Sequence, residues 1–227
     1  MFGPGEVEIP ILLYHRVVTE DTPTRYKMTV NAFRAQMQIL ADGGYETVTI
    51  SEVAAAIRSG AELPARPIVL TFDDGNEDTY AESFPILSSH GFRGVVFAVG
   101  NRTGANGFMT AGELLALVGA GWEIGSHGWG HVDLTTLSAT QWRREILGSK
   151  LELERVLGSP VTSFAYPFGS ATAAIIAKVA EYGYASGAGL GSANHHDRGS
   201  VYYLGRREVY GYWTLEQFRP VLENSDQ

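Results

Sequence analysis

Two clusters of side chains carry chemistry in this sequence. In the first, the apolar run Pro67-Ile-Val-Leu-Thr-Phe ends in Asp73-Asp74-Gly75. Adjacent carboxylates repel one another, and burying both is costly without a cation. In the second, the strand-like run from Trp122 leads into Gly125-Ser126-His127-Gly128-Trp129-Gly130-His131. The histidines are four apart, so one helical turn places both rings on one side, and such a pair commonly grips a divalent metal. Each cluster also has a plainer reading: Asp-Gly is a common turn dipeptide, and two histidines can be unrelated surface residues. Taken together, however, two carboxylates and two imidazoles, each set following its own strand, fit one oxygen/nitrogen metal site. A catalytic site needs about three protein ligands and an open position for water, and Asp74, His127 and His131 supply three. Asp73 is left beside the metal, free to take a proton from water. This donor set suits one divalent ion, zinc first and cobalt, nickel or iron as alternatives, because affinity follows metal identity only loosely.

The elements that position these residues follow from hydrophobic patterning. Strand-length apolar runs lie at 8–14, 67–72, 94–99, 122–126, 163–166, 183–186 and 201–209, and helix-like segments at 30–43, 51–59, 79–90, 111–120, 139–157, 171–182 and 215–222. Thr29, Thr110 and Ser138 are suited to accept bonds from the unpaired N–H groups of helix starts. Gly43, Gly91, Gly121, Gly158 and Gly183 mark helix ends. Phe33, Met37 and Leu40 form one apolar helix face. Strands alternating with helices imply an α/β fold with a mostly parallel sheet, open or closed into a barrel. Buried parallel strands of such folds collect catalytic groups at their carboxyl edge, where Asp73 and Asp74 stand. The stretch 187–200 (GAGLGSANHHDRGS) is the most loop-like, and its His195-His196-Asp197 is expected to be solvated, with a place at the groove edge as the residual alternative.

Composition excludes several function classes. The 227 residues include 17 Lys and Arg against 25 Asp and Glu, a formal charge of −8, and show no basic stripe that would bind nucleic acid. There is no Cys, hence no disulfide and no thiolate metal site. Glycine is abundant, 27 residues, and falls mostly between apolar runs, as tight turns require. The first residues lack the basic start and apolar run of a signal peptide, and no stretch is long enough to span a bilayer. No linker, repeat or low-complexity tract divides residues 1–227, so one domain is expected, and a monomer with it.

The motifs resemble those of the polysaccharide deacetylases with a NodB homology domain, carbohydrate esterase family four. Thr71-Phe72-Asp73-Asp74 is similar to the first family motif, His127-Gly-Trp-Gly-His131 to the second, and Tyr166-Pro167-Phe168-Gly169 to the third. The resemblance implies a distorted (β/α) barrel of about seven parallel strands. It also implies Asp73 as the base, Asp74, His127 and His131 as metal ligands, and Tyr166, Pro167, Phe168 and Gly169 along the substrate groove. Two departures stand out. After the first histidine the family more often has Ser or Thr, where this chain has Gly128. Two residues before the proline of the third motif it usually has an Arg that orients the base, where this chain has Ala165. Arg206 and Arg207 are possible substitutes. No version of the fourth motif, with its Trp and Asp, is evident.

The fifth motif, Leu-x-His, carries the proton donor near the C-terminus of most members, yet no His follows Ser200. Leu13-Tyr14-His15 at the end of the first strand fits it instead, as in the circularly permuted branch of poly-β-1,6-N-acetylglucosamine deacetylases. His15 would then be the acid and Leu13 a wall of the acetyl pocket; the plainer reading of His15 is a strand-end residue with a structural hydrogen bond. The implied activity is metal-dependent removal of N-acetyl groups from an N-acetylglucosamine-containing polymer or oligomer, in an extracytoplasmic or secreted setting, with a cytoplasmic one as the alternative since no leader is evident. The alternatives are hydrolysis of a small non-peptide amide on the same fold, which a deep closed pocket would favour, and a non-catalytic glycan-binding relative, which the loss of Arg at Ala165 would favour. Exposed aromatics would favour sugar chains, with Trp129, Tyr166, Phe168, Tyr212 and Trp213 as candidates.

Overall fold

The computed structural model describes residues 5–20 and 22–222. Seven strands close into the barrel, β1 (Ile11–Tyr14), β2 (Pro67–Asp74), β3 (Val95–Ala98), β4 (Glu123–Ser126), β5 (Ser163–Ala165), β6 (Ser186–Leu190) and β7 (Leu204–Glu208), and a two-residue strand, Glu46–Thr47, pairs with the start of β2. All are parallel, and they run in sequence from β2 round to β7. The N-terminal strand closes the barrel: β1 lies between β7, where Leu13 faces Glu208, and β2, where Leu13 faces Thr71. The seven-stranded (β/α) barrel expected from the resemblance is therefore the observed fold.

Period-two alternation decides what each strand sends inward. Along β2, Ile68, Leu70 and Phe72 face the surrounding helices and join Phe33, Met37, Leu40 and Trp122 in one core layer. Val69 points the other way, into an interior layer with Ile11, Val95, Phe97, Ala165, Ala188 and Leu204. Thr71 and Asp73 continue the Val69 face, so β2 lifts first a hydroxyl and then a carboxylate up the barrel interior. On β7, Leu204, Arg206 and Glu208 share one face in the same way. Phe33, Met37 and Leu40 are fully buried, and burying each such side chain stabilises the fold by roughly 1.5–3 kcal/mol.

Helix starts are built as the sequence predicts. Thr29 accepts from the Ala32 N–H at 3.2 Å, and Thr110 and Ser138 close capping boxes with Glu113 and Gln141. The helix expected over 139–157 is broken by a π-helical turn at Arg143–Gly148, between Ala139–Trp142 and Ser149–Leu157.

Three expectations need correction. The strand expected at 183–186 starts only at Ser186, and the following Gly-Ala-Gly-Leu, expected to be loop, is barrel strand β6. The physical reason is crowding: a Cβ on Gly187 would overlap the Tyr202 carbonyl and the Tyr166 hydroxyl, and one on Gly189 the Tyr203 ring. Here glycine marks a strand whose side-chain space is already filled. Next, His195–Asp197 is not a solvated loop but a short strand antiparallel to Glu6–Glu8, with His196 buried. Last, His127 to His131 form no helical turn; their rings meet by another route. No helix among the described residues is long and apolar enough to cross a membrane.

Candidate active site

β2 and β4 each end at the carboxyl rim of the barrel, and the chain turns sharply there. Asp74 (φ 75°), His131 (φ 55°) and Phe168 (φ 60°) are the non-glycine residues held at positive φ among those described. Such conformations cost of order 1–3 kcal/mol each and gather at functional sites. All three surround one point. Ligand atoms of Asp74, His127 and His131 lie within 4.8 Å of one another, and His131 Nε2 stands 3.4 Å from Asp74 Oδ1. The two imidazoles are 4.8 Å apart between centroids, brought together by a loop with Gly128 at φ 79°.

The donor set suits a divalent ion on two counts. Asp74 Oδ1 is buried with no hydrogen-bond partner, a costly state that a cation relieves. His127 Nδ1 is 2.9 Å from the Ala165 carbonyl, which fixes the proton on Nδ1 and leaves the Nε2 lone pair facing the site.

Asp73 is 3% exposed and receives Arg206 in a two-pronged pair, Nη1 to Oδ1 at 2.6 Å and Nη2 to Oδ2 at 2.9 Å. Arg206 is itself 1% exposed and further donates to Thr71 Oγ1 at 3.2 Å and the Gly189 carbonyl at 3.1 Å. Burial pushes the Asp73 carboxyl up, but the Arg206 charge and its hydrogen bonds, together with His127, outweigh it and hold the pKa at about 2. His127 Nε2 approaches Asp73 Oδ2 at 3.4 Å. The orienting arginine absent at Ala165 is thus supplied from β7, two strands away. Ala165 and Ala188 are small and buried in the interior, which leaves room for Arg206 to cross over the Phe97 ring, 5.1 Å from its centroid. Of the two candidate substitutes, Arg206 makes this contact and Arg207 does not; Arg207 Nη1 binds the Val221 carbonyl.

His15 stands one residue beyond β1, close enough to Asp73 and Asp74 to feel both charges. Burial lowers its pKa, while the charges of Asp73, Asp74 and Glu208 pull it back up. Its ring packs edge-on against Tyr26 at 4.8 Å. Leu13 is buried below it. The third motif divides. Tyr166 and Pro167 are buried, with the Tyr166 hydroxyl donating to the Tyr202 carbonyl at 2.7 Å. Their side chains therefore do not line a groove as expected, because Tyr166 continues the core face of β5. Gly169, at φ 68°, is packed beneath Leu190. Phe168 alone projects, 60% exposed, its ring 4.7 Å from that of His131.

Among the described residues the exposed aromatics are Tyr26, Phe168 and Tyr212. Phe168 lies against His131 and Tyr26 against His15. Trp129 and Trp213 are half-buried. Tyr26 carries no signal in the sequence, since no motif surrounds it; Arg206 is marked there only as one of two arginines near a strand end.

A family model for polysaccharide deacetylases matches residues 60–187, more than half of the chain. The poly-beta-1,6-N-acetyl-D-glucosamine N-deacetylase of Escherichia coli (strain K12) is 36% identical over 89 residues, 39% of this chain and 13% of that protein. YxkH of Bacillus subtilis (strain 168), named for the polysaccharide deacetylases, is 26% identical over 180 residues, 79% of this chain and 63% of that one. The chain thus spans less than two thirds of the length of these relatives. Among solved structures, the deacetylase PplD of Streptococcus pyogenes superposes with a TM-score of 0.86 at 22% identity, over 96% of this chain and 99% of that one. IcaB from Ammonifex degensii superposes with a TM-score of 0.80 at 23% identity, over 97% and 96%; at these identities the likeness is one of fold. The family match holds Asp73, Asp74, His127, His131 and the third motif, while His15 and Arg206 reach the same site from outside it. The chain belongs to the polysaccharide deacetylase family.

Proposed function

We propose that this chain is a metal-dependent N-deacetylase of an N-acetylglucosamine-containing polysaccharide or oligosaccharide, with residues 1–227 forming one catalytic domain. The observation that carries the reading is the convergence of a three-ligand metal grip, an ionised carboxylate locked by Arg206 and a histidine across the same opening. Asp74, His127 and His131 would hold a divalent ion, which would supply Lewis acidity toward water and the acetyl carbonyl. Zinc is the first choice, with cobalt, nickel or iron as alternatives.

Asp73 accepts the proton of the attacking water. With a pKa of about 2 it is ionised at every working pH, and its bidentate pair with Arg206 fixes which oxygen faces the site. The backbone N–H of Phe168, at the left-handed turn beside His131, offers a donor to the tetrahedral oxyanion. His15 passes a proton to the departing amine, which leaves poorly unless protonated. Burial lowers the His15 pKa, while the charges of Asp73, Asp74 and Glu208 favour its protonated form. Leu13 forms the floor beside the acetyl methyl. Aromatic faces at Phe168 and Tyr26 favour a sugar chain over a small amide, since such faces stack on the apolar faces of sugars. They also favour a chain crossing the site rather than ending in it.

Acetate release from N-acetylglucosamine oligomers of increasing length tests this reading. The expected result is a kcat/KM that rises with length for the wild-type protein and rises less for Phe168→Ala and Tyr26→Ala. Preference for a small cyclic or linear amide would overturn the polymer assignment. Glycan binding with no acetate release under any of the four metals would support a non-catalytic relative.

A further inference from the structure

Between His127 and His131 the chain makes no regular element, so its shape is set from outside. The Gly128 carbonyl accepts from the Gly100 N–H and from Ser149 Oγ, each at 2.9 Å, and the Trp129 carbonyl accepts from the Asn101 N–H at 3.0 Å. The Trp129 N–H donates to the Glu145 carbonyl at 2.9 Å. One anchor comes from a charged side chain: the Gly130 N–H donates to Glu145 Oε2 at 2.9 Å. Glu145 is 8% exposed and lies on the π-helical turn Arg143–Gly148. A π turn inserts a residue into the helix, shifts its phase, and recurs at functional sites; here it places both the carbonyl and the carboxylate of one residue on the loop. Burying a carboxylate to satisfy a single neutral amide is costly, which calls for a reason beyond helix stability. The residue after Gly130 is His131, held at φ 55°.

We propose that Glu145 is a positioning residue for the metal site. By holding the Gly130 N–H it keeps His131 in its left-handed conformation, with Nε2 turned toward Asp74. This rests on the reading of Asp74, His127 and His131 as metal ligands. Glu145 touches neither ion nor substrate; it acts through the backbone. A direct hydrogen-bond partner of a ligand is worth about 10–100-fold in metal affinity, and a partner that acts through the neighbouring backbone is expected at the low end of that range.

The test compares the wild-type protein with Glu145→Ala, Glu145→Gln and Glu145→Asp, each stripped of metal. Zn2+ affinity is measured by competition with a chromophoric chelator, ligand geometry by the visible absorption of the Co2+ form, and thermal unfolding on the metal-free proteins. Glu145→Ala is expected to bind Zn2+ about tenfold more weakly or worse, with an altered Co2+ spectrum and a metal-free Tm close to wild type. Glu145→Gln keeps an acceptor oxygen at the same reach and is expected to stay within about threefold of wild type. Glu145→Asp keeps the charge but retracts the acceptor, and is expected to behave like Glu145→Ala; it carries the test if the alanine variant does not fold. Wild-type affinity in the alanine and aspartate variants overturns the inference. So does a glutamine variant as weak as alanine, which would make charge rather than the hydrogen bond responsible. A wild-type protein that binds no Zn2+ overturns the ligand assignment and this inference with it.

Discussion

At the scale of single residues, the site turns on where Asp73 gets its partner. Arg206 substitutes for an arginine that the third motif usually carries, and it does so from a different strand. The same carboxylate is held, but the anchor now sits outside the segment that the family model matches. Removing one member of a buried ion pair leaves an uncompensated charge and costs about 3–5 kcal/mol. Arg206→Met therefore unbalances Asp73: burial, which raises its pKa, loses the charge and hydrogen bonds that now hold it at about 2. The variant is expected to lose on the order of 100-fold in kcat, a size typical of a misplaced acid–base group. It should also acquire an acid limb in its pH–rate profile at higher pH than wild type, because Asp73 must lose a proton before it can act. Steady-state kinetics across pH checks this; a variant with the wild-type profile would separate Arg206 from the base. Asp73, Asp74, His127 and His131 were legible in the sequence because each pair follows its own hydrophobic strand and the two pairs together fit one metal site. The strained φ values of Asp74, His131 and Phe168 were not, since nothing local in these side chains asks for a left-handed backbone; the tertiary structure imposes it.

At the scale of elements, alternation within β2 and β7 sends Asp73 and Arg206 inward on matching faces, and β1 brings His15 in between. β2, β3 and β4 were readable from their apolar runs to within two residues at each end. Strand β6 was not, because Gly187 and Gly189 replace the branched side chains that mark a strand. Their absence is itself a packing requirement. The Tyr203 ring over Gly189 is tied at its far end, its hydroxyl donating to the Gly169 carbonyl at 2.6 Å, so it cannot swing away cheaply. Gly189→Ala is accordingly expected to destabilise by about 1–3 kcal/mol, the usual cost of overpacking. Because Gly169 neighbours Phe168, the variant should also raise KM for oligomers. Denaturant unfolding and kinetics measure the two effects, and an unchanged midpoint would show that the strand has slack at this position.

At the scale of the whole molecule, the barrel is closed by its N-terminal strand, and a buried histidine ties the approach to that strand to the C-terminal half. His196 lies on the ribbon between Glu6–Glu8 and His195–Asp197. Burial lowers its pKa from 6.5 to about 4, against a bond to the Ile9 backbone that raises it. The folded protein therefore binds fewer protons than the unfolded chain between those values. The contribution of this neutral histidine to stability is complete above about pH 6.5 and is lost as pH falls toward 4, an effect of about 3 kcal/mol. Unfolding free energies measured from pH 7 to pH 4 should fall more steeply for wild type than for His196→Leu; parallel curves would mean that His196 charges without cost. The sequence left this residue looking like part of a polar loop because its burial depends on a pairing between segments nearly two hundred residues apart.

Metal-dependent deacetylation at the barrel's carboxyl rim is open to direct measurement. Its most direct test is acetate release from an N-acetylglucosamine oligomer before exhaustive chelation, after it, and after Zn2+ is restored. Turnover is expected to vanish with the metal and return with it, and Asp73→Asn is expected to bind Zn2+ normally yet stay inactive. Full activity in the chelated protein would contradict metal dependence.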